Sequence, residues 1–205
     1  MGPLSAVLFE PVGCLAEFPG EPFHEIAVKL YGRKGKASRS ASREYWHLLN
    51  LMQESGGASI EAFEVQAADA ASLYEDVLPA LAELKAMGIR RIIASSLSSA
   101  AIARFLEKCP HPFDAVWTRD NSGGIKSVPL RSALRPQETA IFLADTLEAL
   151  STAKTAGVHP VLMMNDPDEA RRLTTHDPAG GIVSLHELPD FVRLLRSRDR
   201  HILVP

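Results

Sequence analysis

Four short, largely apolar runs recur along the chain with amphipathic stretches between them: Ala6-Val7-Leu8-Phe9, Arg91-Ile92-Ile93-Ala94, Ala140-Ile141-Phe142-Leu143 and Val161-Leu162-Met163-Met164. Runs of this length without polar alternation read as strands buried on both faces, an environment found in a sheet covered by helices on each side. The stretches Val77 to Met87, Ser99 to Lys108 and Leu147 to Ala156 supply such helices, and Gly157 suits the C-cap of the last. Strand and helix in alternation predict an α/β fold with a parallel, Rossmann-like sheet and helices on both faces. Ala115-Val116-Trp117-Thr118 and Gly181-Ile182-Val183-Ser184-Leu185 are weaker strand candidates, the second leading into a helix around Leu188 to Arg196.

After the first strand about 60 residues pass before the alternation resumes, with helical patterning at Phe23 to Tyr31, Arg43 to Glu54 and Ser59 to Leu73. A structureless loop of that length is uncommon inside a domain. The stretch is therefore expected to be a small α-helical cap insert, residues 17–75, on a core made of residues 1–16 and 76–205. It would lie over the carboxyl edge of the sheet, where open α/β sheets bind ligands. Within it, the basic, small-residue segment Gly32-Arg33-Lys34-Gly35-Lys36-Ala37-Ser38-Arg39 reads either as a solvated loop or as a flap over an anionic substrate.

The 205 residues, 46% hydrophobic, suffice for one sizeable core and a small subdomain but not two full domains. A formal charge of −3 gives no overall basic field, so neither nucleic acid nor membrane is an expected partner. Cys14 and Cys109 are too few for a disulfide framework and lack zinc spacing, which fits a reducing, cytoplasmic compartment. The first residues lack the pattern of a signal peptide, and no apolar stretch approaches the roughly 18 residues of a membrane span. The histidines, His24, His47, His111, His159, His176, His186 and His201, show no triad or ligand spacing. Tyr45, Trp46 and Leu48 to Leu51 fit a packed helix face.

Residues with chemical potential gather at predicted strand ends. The first strand ends Phe9-Glu10-Pro11-Val12-Gly13-Cys14-Leu15, the second Ile93-Ala94-Ser95-Ser96, and the fourth Phe142-Leu143-Ala144-Asp145-Thr146; between the last two lies Gly124-Ile125-Lys126-Ser127-Val128-Pro129. In this order they resemble the four motifs of the haloacid dehalogenase (HAD) hydrolase superfamily, in its capped, phosphoglycolate phosphatase-like branch. The resemblance implies phosphoryl transfer through a strand-end carboxylate at Glu10, with Ser95 and Ser96 contacting the phosphate and Lys126 beside the nucleophile. It implies Mg²⁺ held by Glu10, the Val12 backbone carbonyl and Asp145. Glu10 could otherwise cap a helix N-terminus, Asp145 could be the N-cap of the helix that follows, and Lys126 could be a solvated loop lysine.

Two residues depart from the family pattern. Glu10 stands where the family has its nucleophilic aspartate, moving the carboxylate by about 1.5 Å, and a misplacement of about 1 Å can cost on the order of 100-fold in rate. Val12 stands where family phosphatases have their general acid, a contribution worth about 10² to 10⁴. The later acid of the fourth motif falls on Ala149, leaving Glu148 as a further candidate, so weak or absent Mg²⁺ binding is expected. The leading expectation is a protein that binds a small phosphorylated or anionic metabolite, in a binding or regulatory role, with impaired phosphohydrolase chemistry. The alternatives are an active Mg²⁺-dependent phosphatase using Glu10 as displaced nucleophile or as base, and a structural interaction module such as a homodimer.

Overall fold

The computed structural model describes residues 4–38, 40–55, 60–110, 113–165 and 167–201. Arg39 of the basic segment, Ser59 at the start of the third helical pattern, and His111 lie outside the described residues. Six strands form one parallel sheet: β1 (Leu4–Phe9), β4 (Arg90–Ala94), β5 (Ala115–Trp117), β6 (Thr139–Ala144), β7 (His159–Met163) and β8 (Gly180–Ile182). Their order is β5-β4-β1-β6-β7-β8. From β1 the chain first builds outward through β4 and β5, then returns to the other side of β1 with β6 and continues to β8. The switch point, the ligand position of open α/β sheets, therefore lies between β1 and β6.

The expected apolar runs are central strands, extended by a residue or two, and they are buried because helices cover both faces of the sheet. Of the helices, α5 (Val77–Ala86), α6 (Ser99–Lys108) and α9 (Leu147–Ala156) fall where the amphipathic stretches put them. Ser98 caps α6 by accepting from the Ala101 amide, and Gly157 ends α9 at φ 77°, the left-handed conformation glycine adopts without penalty. The short helices α1 (Pro11–Cys14), α7 (Arg119–Ser122), α8 (Ser127–Ala133) and α10 (Pro167–Leu173) lie in the connections, and α11 (Leu188–His201) is the last element among the described residues. Within α11 the Arg196 guanidinium donates to the Met87 carbonyl at 3.2 Å.

Between β1 and α5 lie α2 (Glu21–Tyr31), α3 (Ala41–Ser55) and α4 (Glu61–Ala70), bracketed by a two-stranded antiparallel ribbon of β2 (Ala16–Glu17) and β3 (Ser72–Leu73). The third helical pattern thus stops short of Leu73, because Ser72 and Leu73 pair with Glu17 and Ala16. This helical insert shares one continuous apolar core with the sheet. Phe18 stacks on both Phe23 of α2 and Phe105 of α6, at 6.5 and 6.2 Å, and Phe23 meets Tyr45 of α3 at 5.4 Å. Each fully buried aromatic or aliphatic side chain in that seam contributes about 1.5–3 kcal/mol. On the other flank α4 packs against α6, where Arg104 pairs with Asp69 at 2.7 Å and Lys108 donates to the Ala71 carbonyl at 2.8 Å.

Candidate active site

The register of β4, β1 and β6, with Phe9 opposite Ile93 and Leu8 opposite Phe142, brings three strand ends side by side. Glu10, Ser95 and Asp145 follow them directly. Glu10 is only 2% exposed. Ser95 Oγ donates to its Oε1 at 2.6 Å, and the Tyr45 hydroxyl donates to its Oε2 at 3.3 Å. Burial pushes its pKa up to about 8, and the bonds from Ser95, the Ser96 amide, Tyr45 and the Val12 amide only partly oppose that rise. At neutral pH the folded site accordingly favours the protonated acid. The neighbouring Cys14 thiol is pushed well above its usual range by burial and by Asp145 and Glu10, so it is not a nucleophile.

Asp145, 9% exposed, accepts from Ser42 Oγ at 2.7 Å. It is not the N-cap of α9; Thr146 takes that role through the Ala149 amide. The turn after β1 passes close to Asp145 with Gly13 at φ +79°, and a methyl group there would lie 2.5 Å from Asp145 Oδ2. Both the backbone angle and the close approach require glycine. Val12 is fully buried and offers the site no polar side chain.

Lys126 does not lie against Glu10. Its ammonium donates to Asn50 Oδ1 at 2.6 Å and Gln53 Oε1 at 2.5 Å, both on α3. Its own amide donates to Ser96 Oγ at 2.6 Å. The residue sits at φ 58°, ψ −110°, a strained conformation for a side chain other than glycine. Burial lowers the lysine's pKa, while Glu54 and Glu148 oppose that shift. Of the residues singled out in the sequence, Glu10 and Ser95 are therefore directly bonded, and Ser96 joins Lys126 through the backbone. Asp145 bonds to Ser42, and the Lys126 charge is drawn away to the insert.

Sequence reasoning missed Ser42, Tyr45, Asn50 and Gln53, which reach the site from α3, and the pair Glu64–Arg119. Ser42, Tyr45, Leu49 and Gln53 recur at intervals of three and four, so a polar interruption of an otherwise apolar helical face was the available signal. Glu64 of α4 is buried and bonded to the Arg119 guanidinium and, at 3.3 Å, to the Ser98 amide; Arg119 also donates to the Ser96 carbonyl at 3.3 Å. Polar links thus tie the insert to the segments that follow the strands: Tyr45–Glu10, Ser42–Asp145, Lys126 to Asn50 and Gln53, and Glu64 to Arg119 and the Ser98 amide.

The residues present do not fit Mg²⁺ in this arrangement. That ion demands near-octahedral oxygen coordination at about 2.0–2.1 Å. Both Glu10 oxygens are turned to hydroxyl donors, while Asp145 Oδ1 accepts from Ser42. Among the described residues no group of three or more His, Cys, Asp or Glu could hold a metal ion. Glu148, the further candidate, is exposed and lines outer cavities instead.

A family model for haloacid dehalogenase-like hydrolases matches residues 19–163, from the insert to the end of β7. The chain belongs to that family. This HAD-like chain also resembles solved structures across nearly its whole length. One is a phosphonoacetaldehyde hydrolase-like protein from Oleispira antarctica, with TM-score 0.71 and 15% identity, covering 96% of this chain and 94% of that one. Another is a putative phosphoglycolate phosphatase from Lactobacillus plantarum, with TM-score 0.68, 18% identity and coverage of 92% and 99%. L-2-haloacid dehalogenase from Xanthobacter autotrophicus gives TM-score 0.61 at 17% identity, with 93% and 98% covered. At these identities the likeness is one of fold. No curated protein matches the chain. Among the described residues, no helix is long and apolar enough to cross a membrane.

Proposed function

We propose that this HAD-like chain is a non-hydrolytic member of its family that binds a small phosphorylated or otherwise anionic metabolite in a regulatory capacity. The observation that carries the reading is the state of Glu10. Its carboxyl is buried and has both oxygens bonded, one to Ser95 and one to Tyr45. A nucleophile or general base must present a lone pair to a reacting atom, and a carboxyl shut beneath α3 with hydroxyl donors on both oxygens directs none at a substrate. The loss of a proton-transferring group at Val12 and the withdrawal of the Lys126 ammonium act in the same direction. Under this reading the helical insert is a cap held shut, with the former site residues serving as its fastening.

The test is Mg²⁺-dependent phosphate release from a panel of small phosphomonoesters, comparing the native chain with the double variant Glu10→Asp, Val12→Asp. The native chain is expected to stay at background, with release by the variant on the order of 100-fold or more above it. Native release comparable to the variant's contradicts the reading and makes Glu10 an active displaced nucleophile or base. Silence in both assigns the loss to more than these two residues.

A further inference from the structure

The chain carries a net charge of −3, yet one cavity of about 570 Å³ is lined by Arg33, Arg43, His47, Arg172 and His176. Its walls come from two sides: Arg33, Arg43 and His47 from the helical insert, Arg172 and His176 from α10 and the turn after it. The acids in the wall are Glu44 and Glu148. Glu44 is buried and already satisfied, bonded to the Arg33 guanidinium, to the Ser38 amide, and to His24 Nδ1 at 3.3 Å. Although burial alone would raise it, Arg33 and the Ser38 amide hold that carboxyl below its usual range. Glu44 therefore fixes Arg33 and Ser38 in place as part of the wall. Three guanidinium charges against two carboxylates leave the cavity cationic even with both histidines neutral.

We propose that this cavity is the anion site of the protein, taking a small metabolite with two or more negative charges on phosphate oxygens; the inference rests on the binding reading above and locates it. Guanidinium groups match phosphate in planar, paired hydrogen bonds, and the volume is in the range of small-molecule sites. The site is separate from the buried acid: Glu10 does not line it, and the adjoining cavity of about 590 Å³, which shares Ser38, Arg43 and Leu173 with it, reaches Asp145 but not Glu10. Because one wall belongs to the insert and the other to α9, α10 and the turn after α10, a bound dianion bridges them and reinforces the closed arrangement.

Isothermal titration calorimetry with inorganic pyrophosphate, in Mg²⁺-free buffer of low ionic strength, tests the assignment. The native chain is expected to bind it saturably. The variant Arg43→Ala, Arg172→Ala, whose side chains are exposed, should weaken binding about tenfold or more while keeping the native circular dichroism. The charge-matched control Lys85→Ala, Arg131→Ala, away from the cavity, should bind like the native chain. Absence of saturable binding by the native chain, or equal weakening in both variants, overturns the site. Without Mg²⁺ the titration reads binding alone. Phosphate release by the native chain therefore refutes the non-hydrolytic reading without touching this result, and loss of pyrophosphate binding refutes the site without restoring catalysis.

Discussion

Replacing Glu10 by glutamine flattens a pH-dependent loss of stability. In the folded chain the Glu10 acid keeps its proton to about pH 8, against an ordinary value of 4.5. Its contribution is thus fully present below the ordinary value and is lost as pH rises toward the folded value, because the unfolded chain gives up a proton that the folded chain retains. Between about pH 5.5 and 7.5 the native chain loses about 1.4 kcal/mol per pH unit from this group. Glutamine has no proton to lose, so its stability relative to native should climb by that slope and level off above about pH 8. Other titrating groups, Glu64 among them, cancel in the difference. Urea denaturation of both proteins at several pH values measures it; parallel profiles would mean that Glu10 is solvated and ionised.

Truncating Tyr45 to alanine is expected to destabilise the fold by about 3–5 kcal/mol, the range for removing a large buried aromatic. The residue is fully buried, packs against Phe23 at 5.4 Å and Trp46 at 5.9 Å, and bonds Glu10 through its hydroxyl. Tyr45→Phe keeps the packing and removes only the bond, so its expected effect is about 1 kcal/mol. Chemical denaturation of the two variants separates packing from polar fastening. Equal, small effects would show that α3 does not close the site through Tyr45, and a Tyr45→Phe effect as large as that of alanine would place the energy in the hydroxyl.

The sheet could be read from the sequence because β1, β4, β6 and β7 are buried on both faces, and a run such as Ile92-Ile93-Ala94 has no other comfortable environment. Helices α6 and α9 could be read to the residue because Lys108 and Gly157 mark their ends. The ribbon of β2 and β3 could not: two-residue strands carry no periodicity, and Ser72 and Leu73 continue a helical pattern until their partners are known. The resemblance singled out Glu10, Ser95 and Asp145, and their convergence could be read ahead because strand ends in a parallel sheet share one edge. The position of the Lys126 ammonium was not, since it depends on Asn50 and Gln53, which are distant in sequence and approach only when α3 docks. Tyr45 was read as packing, which it is; its second role as a donor to Glu10 depends on a contact across 35 positions. The basic segment showed its charge in the sequence but not its anchoring, since Glu44 pins Arg33 only once α2 and α3 lie side by side.

The most direct measurement is the carboxyl titration of Glu10 itself, followed by ¹³C NMR in the native chain and assigned by the signal missing from Glu10→Gln. The carboxyl carbon should stay in its protonated position through neutral pH and shift with a midpoint of about 8. A midpoint in the ordinary range of about 4–5 would show an ionised, solvent-reached carboxylate ready for catalysis, and would contradict the shut, non-hydrolytic site.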